Sequence, residues 1–263
     1  MQTKNTVLTI DCGNTHITLG LSDGDNNITA VCRIPTDTAE TYFGYAAKFK
    51  QIFELQKIDL SATGGAIISC VVPPVTYTLA SAVRLLIGHN PLIVGAGIKT
   101  GLHLCINDPG TVASDLVAAA VAAKELYPLP CIIADMGTAT TVTAIDAGGR
   151  FIGGAFYPGV DISLAALAGK TALLPHIEIQ PPEKAISANT IDCMKSGIVY
   201  GSAGAVDGLI DRFEAQLGTP ASIVATGGIS PMIYPHCRHE MIHDDTLILK
   251  GLRIIWDKNQ KKK

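Results

Sequence analysis

Two stretches of the chain carry one pattern, and this repetition constrains the fold more than any other feature. Val7-Leu8-Thr9-Ile10-Asp11-Cys12-Gly13-Asn14-Thr15 and Cys131-Ile132-Ile133-Ala134-Asp135-Met136-Gly137-Thr138-Ala139 each read as an apolar strand, Asp-x-Gly and a polar turn residue. Each runs at once into a β-branched strand, residues 17–21 or 141–145. Each then crosses a turn rich in Gly, Asn and Asp, residues 22–27 or 146–149, into a third strand at 28–34 or 151–156. Such turns supply the backbone freedom that antiparallel hairpins need. A three-strand unit that occurs twice predicts two related lobes. The break is expected near residues 110–125, and we place the lobes at 1–116 and 117–263.

Between these units the hydrophobic period becomes helical. Residues 39–56, 75–87, 114–127 and 189–217 read as helices, and 66–72, 91–94 and 222–225 as short buried strands. Strands alternating with helices indicate an α/β protein with mixed sheets. The longest helix carries Gly197, Gly201, Gly204, Ala205 and Gly208 at three- and four-residue spacing. Glycine in a helix costs up to about 1 kcal/mol relative to alanine, so the stripe predicts close backbone packing, either between lobes or across a symmetric dimer.

Composition excludes several classes of function. A net charge of −3 offers no basic face for nucleic acid, and the Lys261-Lys262-Lys263 run reads as a solvated tail. No stretch approaches the roughly 18 uninterrupted apolar residues of a membrane span. The apolar run after Met1-Gln2-Thr3-Lys4-Asn5-Thr6 is broken too early, by Asp11, for a secretory leader. A cytoplasmic location is therefore expected. The seven cysteines form no C-x-x-C pair, which suits buried thiols in a reducing compartment. His236, Cys237, His239 and His243 cluster in what reads as a surface loop after Ser230-Pro231, but a second ligand pair is missing and a zinc role is not expected.

The chemistry is expected at the two Asp-x-Gly turns. Glycine after a strand brings backbone N–H groups close to an anion without a Cβ in the way. Asn14, Thr15, Thr138, Thr140 and Thr141 add short polar side chains, and Asp11 and Asp135 can hold a cation near phosphates. A third glycine turn, Ala225-Thr226-Gly227-Gly228-Ile229-Ser230, could lie against a flat base or ribose. The stretch Asp108-Pro109-Gly110-Thr111-Val112-Ala113-Ser114-Asp115-Leu116 marks a helix start. Asp115 then either stabilises the helix terminus through its dipole or accepts a proton from a substrate hydroxyl. On these residues alone the helix-terminus reading is the stronger of the two.

In their order these motifs resemble the phosphate and adenosine motifs of the acetate and sugar kinase/actin superfamily. More specifically the chain resembles the type III pantothenate kinases. The similarity is carried by Asp11-Cys12-Gly13-Asn14-Thr15, Ile67-Ile68-Ser69-Cys70-Val71-Val72-Pro73-Pro74, Gly97-Ile98-Lys99-Thr100-Gly101-Leu102 and Asp135-Met136-Gly137-Thr138-Ala139-Thr140-Thr141. It continues through Gly153-Gly154-Ala155, Pro158-Gly159, Asn189-Thr190, Ser196-Gly197-Ile198-Val199-Tyr200-Gly201, Thr226-Gly227-Gly228 and Leu249-Lys250-Gly251-Leu252. The resemblance implies two RNase H-like lobes with an ATP cleft between them. It implies that Asp11, Cys12, Gly13, Asn14, Thr15, His16, Ile17 and Thr18 wrap the phosphates of ATP-Mg²⁺, joined by Thr138. Asp135 would bind potassium or ammonium, and Asp115 would be the general base toward pantothenate. Ala113, Ser114, Asp115 and Leu116 would form the acceptor motif, with Thr190 contributed across a homodimer interface. Two positions depart from the family pattern: its usual Gly-Ala-Asp-Arg is Ala113-Ser114-Asp115-Leu116 here, and a usual aromatic is Ile106.

Overall fold

In chain order the elements are β1 (Val7–Cys12), β2 (His16–Ser22), β3 (Ile28–Pro35), α1 (Tyr42–Leu55), β4 (Gly65–Cys70), α2 (Pro73–Ile87), β5 (Leu92–Ile93) and β6 (His103–Leu104). There follow α3 (Ser114–Leu126), β7 (Cys131–Met136), β8 (Ala139–Ile145), β9 (Arg150–Pro158), α4 (Val160–Gly169), α5 (Thr190–Leu217), β10 (Ser222–Thr226), α6 (Ser230–Ile233), β11 (Ile242–His243) and α7 (Leu247–Asn259). This computed structural model describes residues 6–25 and 27–260. The residues 1–5 of the chain start, Asn26 in the first turn and the Lys261-Lys262-Lys263 tail lie outside the described residues.

The chain divides into two compact units, residues 1–102, 108–125 and 246–263 in one and 103–107 with 126–245 in the other. The first holds a five-stranded sheet in the order β3-β2-β1-β4-β5. Its strand β1 pairs antiparallel with β2 and parallel with β4. Alternation along these strands decides which helix each side chain meets. Leu8, Ile10, Cys12, Ala66 and Ile68 share a core with Tyr45, Phe49 and Phe53 of α1 and Val75, Leu79 and Val83 of α2. Val7 and Ile67 belong to a second core with Val117, Ala118 and Val121 of α3 and Leu249, Leu252 and Ile255 of α7. The sheet is therefore apolar on both faces, as parallel pairing with helical crossovers requires.

The second unit repeats the arrangement in a sheet of order β11-β10-β7-β8-β9-β6. Strand β7 pairs antiparallel with β8 and parallel with β10, as β1 does with β2 and β4. The duplication extends to detail: the β2/β3 pairing shifts register between Leu19 and Leu21, and the β8/β9 pairing between Ala144 and Ile145. Ile132, Ala134 and Met136 meet Val199, Ala203, Val206 and Ile210 of α5 in one core.

Several boundaries differ from the sequence expectation, each for a local reason. Helix α1 starts at Tyr42 rather than near residue 39, because Thr41 caps it by accepting from the Gly44 N–H at 3.1 Å. The preceding residues are held in a turn in which the Asp37 carboxylate accepts from the Ala39 N–H. Strand β4 stops at Cys70 because Pro73 opens α2, which ends on Gly88 in the left-handed region at φ 77°. The stretch that Ser230 opens begins with α6, which buries Ser230 and Ile233, and residues 236–243 follow as turns and the short strand β11 with half-buried or exposed side chains. Its neighbours have separate partners, since Cys237 Sγ lies by the Ala203 and Ile233 carbonyls, His239 bonds Asp211 and His243 bonds Ser230. In α5, a Cβ on Gly197, Gly201 or Gly204 would meet nothing within 4 Å, so the stripe is not used for packing within the described chain.

Helix α7 approaches α3 at its tightest point through Gly251, where a Cβ would stand 1.9 Å from the Ala118 carbonyl oxygen. Because that obstacle is helix backbone, Gly251→Ala must push the two helices apart. We expect it to lower unfolding stability by about 1–3 kcal/mol in urea titration, the usual cost of overpacking, whereas Gly169→Ala, with open space at its Cβ, should not.

Candidate functional site

The first Asp-x-Gly turn is clamped on both sides. The Gly13 N–H donates to the His16 carbonyl at 3.0 Å, Thr36 donates through Oγ1 to the Gly13 carbonyl at 2.7 Å, and the Thr36 N–H donates to Thr15. The result is a short rigid tip that presents Asn14, Thr15 and His16 to solvent. Side chains within the segment divide between roles. Cys12 and Ile17 are fully buried in the α1/α2 core and can offer a ligand only their backbone. Thr18 lies directly across the ladder from Asp11.

Alternation places Asp11 on the face of the sheet opposite Cys12, the side that meets α3. On β4 its register partner is Ser69, which is fully buried. Ser69 Oγ lies 3.0 Å from Ser114 Oγ in the first turn of α3. Helix α3 opens after a short turn in which Asp108 accepts from the Gly110 N–H, and Val117 donates back to the Ala113 carbonyl at 3.1 Å. Asp115 Oδ1 accepts from the Leu116 N–H at 2.7 Å. Burial is the largest influence on the Asp115 carboxyl and raises its pKa above the ordinary aspartate value, against the pull of the backbone N–H groups. One unit thus brings together the first Asp-x-Gly turn, Asp11, Ser69, Ala113, Ser114, Asp115 and Leu116.

Asp135, Thr138 and Thr190 belong to the other unit. The second turn repeats the first, with the Gly137 N–H donating to the Ala139 carbonyl at 3.1 Å. Neither Gly13 nor Gly137 is forced to be glycine by its own surroundings: the nearest atoms to an added Cβ stand at 3.4 and 3.6 Å. The steric demand falls on two glycines packed behind the second turn. At Gly227, φ is +92° and a Cβ would stand 2.5 Å from Asp135 Oδ1 and 2.6 Å from the Met136 nitrogen. At Gly159 it would stand 2.3 Å from the Thr138 carbonyl oxygen. Sequence reasoning gave Gly227 a ligand-facing role and Gly159 none. The Pro158-Gly159 pair at a strand end was the available signal.

Oxygen donors around Asp135 suit a hard cation. Thr141 is its register partner on β8, and Thr141 Oγ1 is buried with no hydrogen-bond partner among the described residues. Thr190 lies apart from these groups. It is the first residue of α5, behind the Asn189 cap that accepts from Asp192. With Ser163, Leu167, Met194 and Gly197 it lines an open cleft of about 770 Å³ that none of the other expected site residues reach.

The order of motifs on this fold can be compared with known proteins. Residues 7–212 match the type III pantothenate kinase family. The chain belongs to the type III pantothenate kinases. It is 40% identical to the type III pantothenate kinase of an Exiguobacterium species, over 97% of this chain and 100% of that one. To that of Moorella thermoacetica it is 38% identical, over 96% and 99% of the two chains. Among solved structures, the activator of 2-hydroxyisocaproyl-CoA dehydratase from Clostridium difficile, determined with bound ADPNP, superposes with a TM-score of 0.57 at 12% identity. That match covers 98% of each chain. The kinase therefore has the actin-like ATPase fold, with one mixed sheet in each unit.

Two outcomes follow for this family member. Asp115 binds its proton more tightly folded than unfolded, so its ionised form costs stability at neutral pH, and the cost vanishes as pH falls below the unfolded value of about 3.9. Asp115→Asn, whose amide oxygen can still accept from Leu116, should raise the melting temperature at pH 7, with the gain shrinking toward pH 4. Gly227→Ala combines left-handed strain with a clash on Asp135 and should lower stability by about 2–4 kcal/mol in urea titration.

Proposed function

We propose that this type III pantothenate kinase transfers the γ-phosphoryl group of ATP to the terminal hydroxyl of pantothenate, giving ADP and 4′-phosphopantothenate, with Asp115 as general base. The observation that carries this reading is the half-buried Asp115 carboxylate at the start of α3, on the face of the sheet toward which β1 directs Asp11. Phosphoryl transfer passes through a loose transition state, so positioning and charge neutralisation supply most of the catalysis.

In this reading the Gly13-Asn14-Thr15 tip cradles the phosphates with backbone N–H groups and short hydroxyl and amide side chains, and Thr138 adds another hydroxyl. Asp11, beside the tip, would hold the magnesium that accompanies the nucleotide, or its water, and that cation would supply charge neutralisation at the phosphates. Asp135 and Thr141 offer oxygens to potassium or ammonium. The acceptor oxygen bonds to the γ-phosphorus as its bond to the β-phosphate oxygen breaks. The hydroxyl proton passes to Asp115, whose raised pKa makes it a better proton acceptor than an exposed aspartate. The open glycine face of α5 and the cleft beside Thr190 support a homodimer in which Thr190 reaches the acceptor bound by the partner. A cytoplasmic enzyme opening coenzyme A synthesis fits this chemistry, and among the described residues no helix is long and apolar enough to cross a membrane.

The test is ADP release from ATP and Mg²⁺, with and without pantothenate, in potassium and in sodium buffer. Pantothenate-dependent turnover that requires potassium, and a kcat about 10²–10⁴-fold lower in Asp115→Asn, are the expected results. ATP binding without any stimulation by pantothenate would remove the acceptor assignment and point to Leu116 and Ile106, the two departures from the family pattern, as marks of a different hydroxylated acceptor.

A further inference from the structure

We propose that the Ser69–Ser114 hydroxyl pair is a positioning device for Asp115, locking the first turn of α3 to the end of β4; the inference rests on Asp115 acting as the base. Ser69 is fully buried in a strand whose neighbouring residues, Ala66, Ile67 and Ile68, are apolar and also buried. A hydroxyl in such surroundings is costly unless it is hydrogen-bonded. Its side chain is directed by the strand alternation to the same face as Ile67, toward α3, where Ser114 Oγ stands 3.0 Å away.

The rest of the α3 interface cannot do this work. Val117, Ala118 and Val121 hold the helix to the sheet through apolar contact, which is non-directional and tolerates small slides along the helix axis. A hydrogen bond is directional in both length and angle. The one between Ser69 and Ser114 sits a single residue before Asp115 and fixes the helix where a slide would move the carboxylate. The strand end it grips is also the register partner of Asp11, so one bond ties the base to the strand that carries the phosphate turn. In this proposal the two hydroxyls act through Asp115.

The test compares Ser69→Ala, Ser114→Ala, the double variant, Ser114→Thr and Asp115→Asn by steady-state kinetics, with melting curves for each. Displacing a catalytic group by about 1 Å costs up to about 10²-fold in rate. Each single alanine variant should therefore lose roughly 10- to 100-fold in kcat, with KM for ATP changing less than about twofold. Because the two hydroxyls form one bond, the double variant should be no slower than the slower single one. Ser114→Thr keeps a hydroxyl at the same place and should recover kcat to within about threefold of the parent. Both alanine variants turning over within about twofold of the parent, while Asp115→Asn is inactive, would overturn the positioning role and leave the base intact. Losses that multiply in the double variant, or no recovery with threonine, would overturn it equally. If Asp115→Asn kept the parental kcat, the base assignment would fall and this inference with it. Should Ser69→Ala not fold, Ser114→Ala and Ser114→Thr, altered at the half-buried helix start, decide the matter alone.

Discussion

The parallel pairing of β1 with β4 is the constraint on which the first unit depends. Six consecutive residue pairs, from Val7↔Gly65 to Cys12↔Cys70, set the register, and register decides which side chains share a face. A slip of one residue would turn Asp11 toward the aromatic core of α1 and carry Cys12 toward α3. With the observed register, Asp11 and Ser69 lie side by side on the α3 face. Both α1/α2 and α3/α7 then find apolar residues to bury, which stabilises the same register that positions the polar groups.

The two units show how one supersecondary pattern can be given different tasks. The strand pairings, the Asp at the end of the first strand and even the hairpin irregularity are shared. What surrounds each turn is not. The first is clamped by Thr36 and open at its tip. The second is backed by Gly159 and Gly227, which come so close that no larger residue fits, and its aspartate lies against glycine backbone. Across the ladder from that aspartate stands the buried hydroxyl of Thr141.

Much of this was legible in the residues because the information is local. Strand–Asp-x-Gly–strand declares itself through alternation and turn chemistry, and α5 was readable from Asn189 to Leu217 because its cap residue and its terminal Gly218 are encoded in place. Other features depend on neighbours distant in the chain. Ser69 gave no signal in a run of apolar residues, since its partner Ser114 is 45 positions away. Gly159 and Gly227 acquire their steric role only when the second turn folds against them. The short helix α6 gave no local signal, because the burial of Ser230 and Ile233 comes from long-range packing and not from any local period.

By itself the sequence determined the duplicated three-strand unit and the α/β class, because each rests on residue types at fixed short spacing, and its motifs in their order along the chain carried the resemblance to the kinase family. Only the tertiary structure decided that α7 docks against β1, β2 and β4 beside α3, and that Arg253 is buried there with bonds to Asp257 and the Ser22 carbonyl. It alone placed Ser69 against Ser114 and left open space beside Gly197, Gly201 and Gly204 of α5 among the described residues. The physical reason is that backbone periodicity and turn chemistry act over a few residues, whereas register, burial and the meeting of side chains from separate elements are set by how the whole sheet and its helices pack.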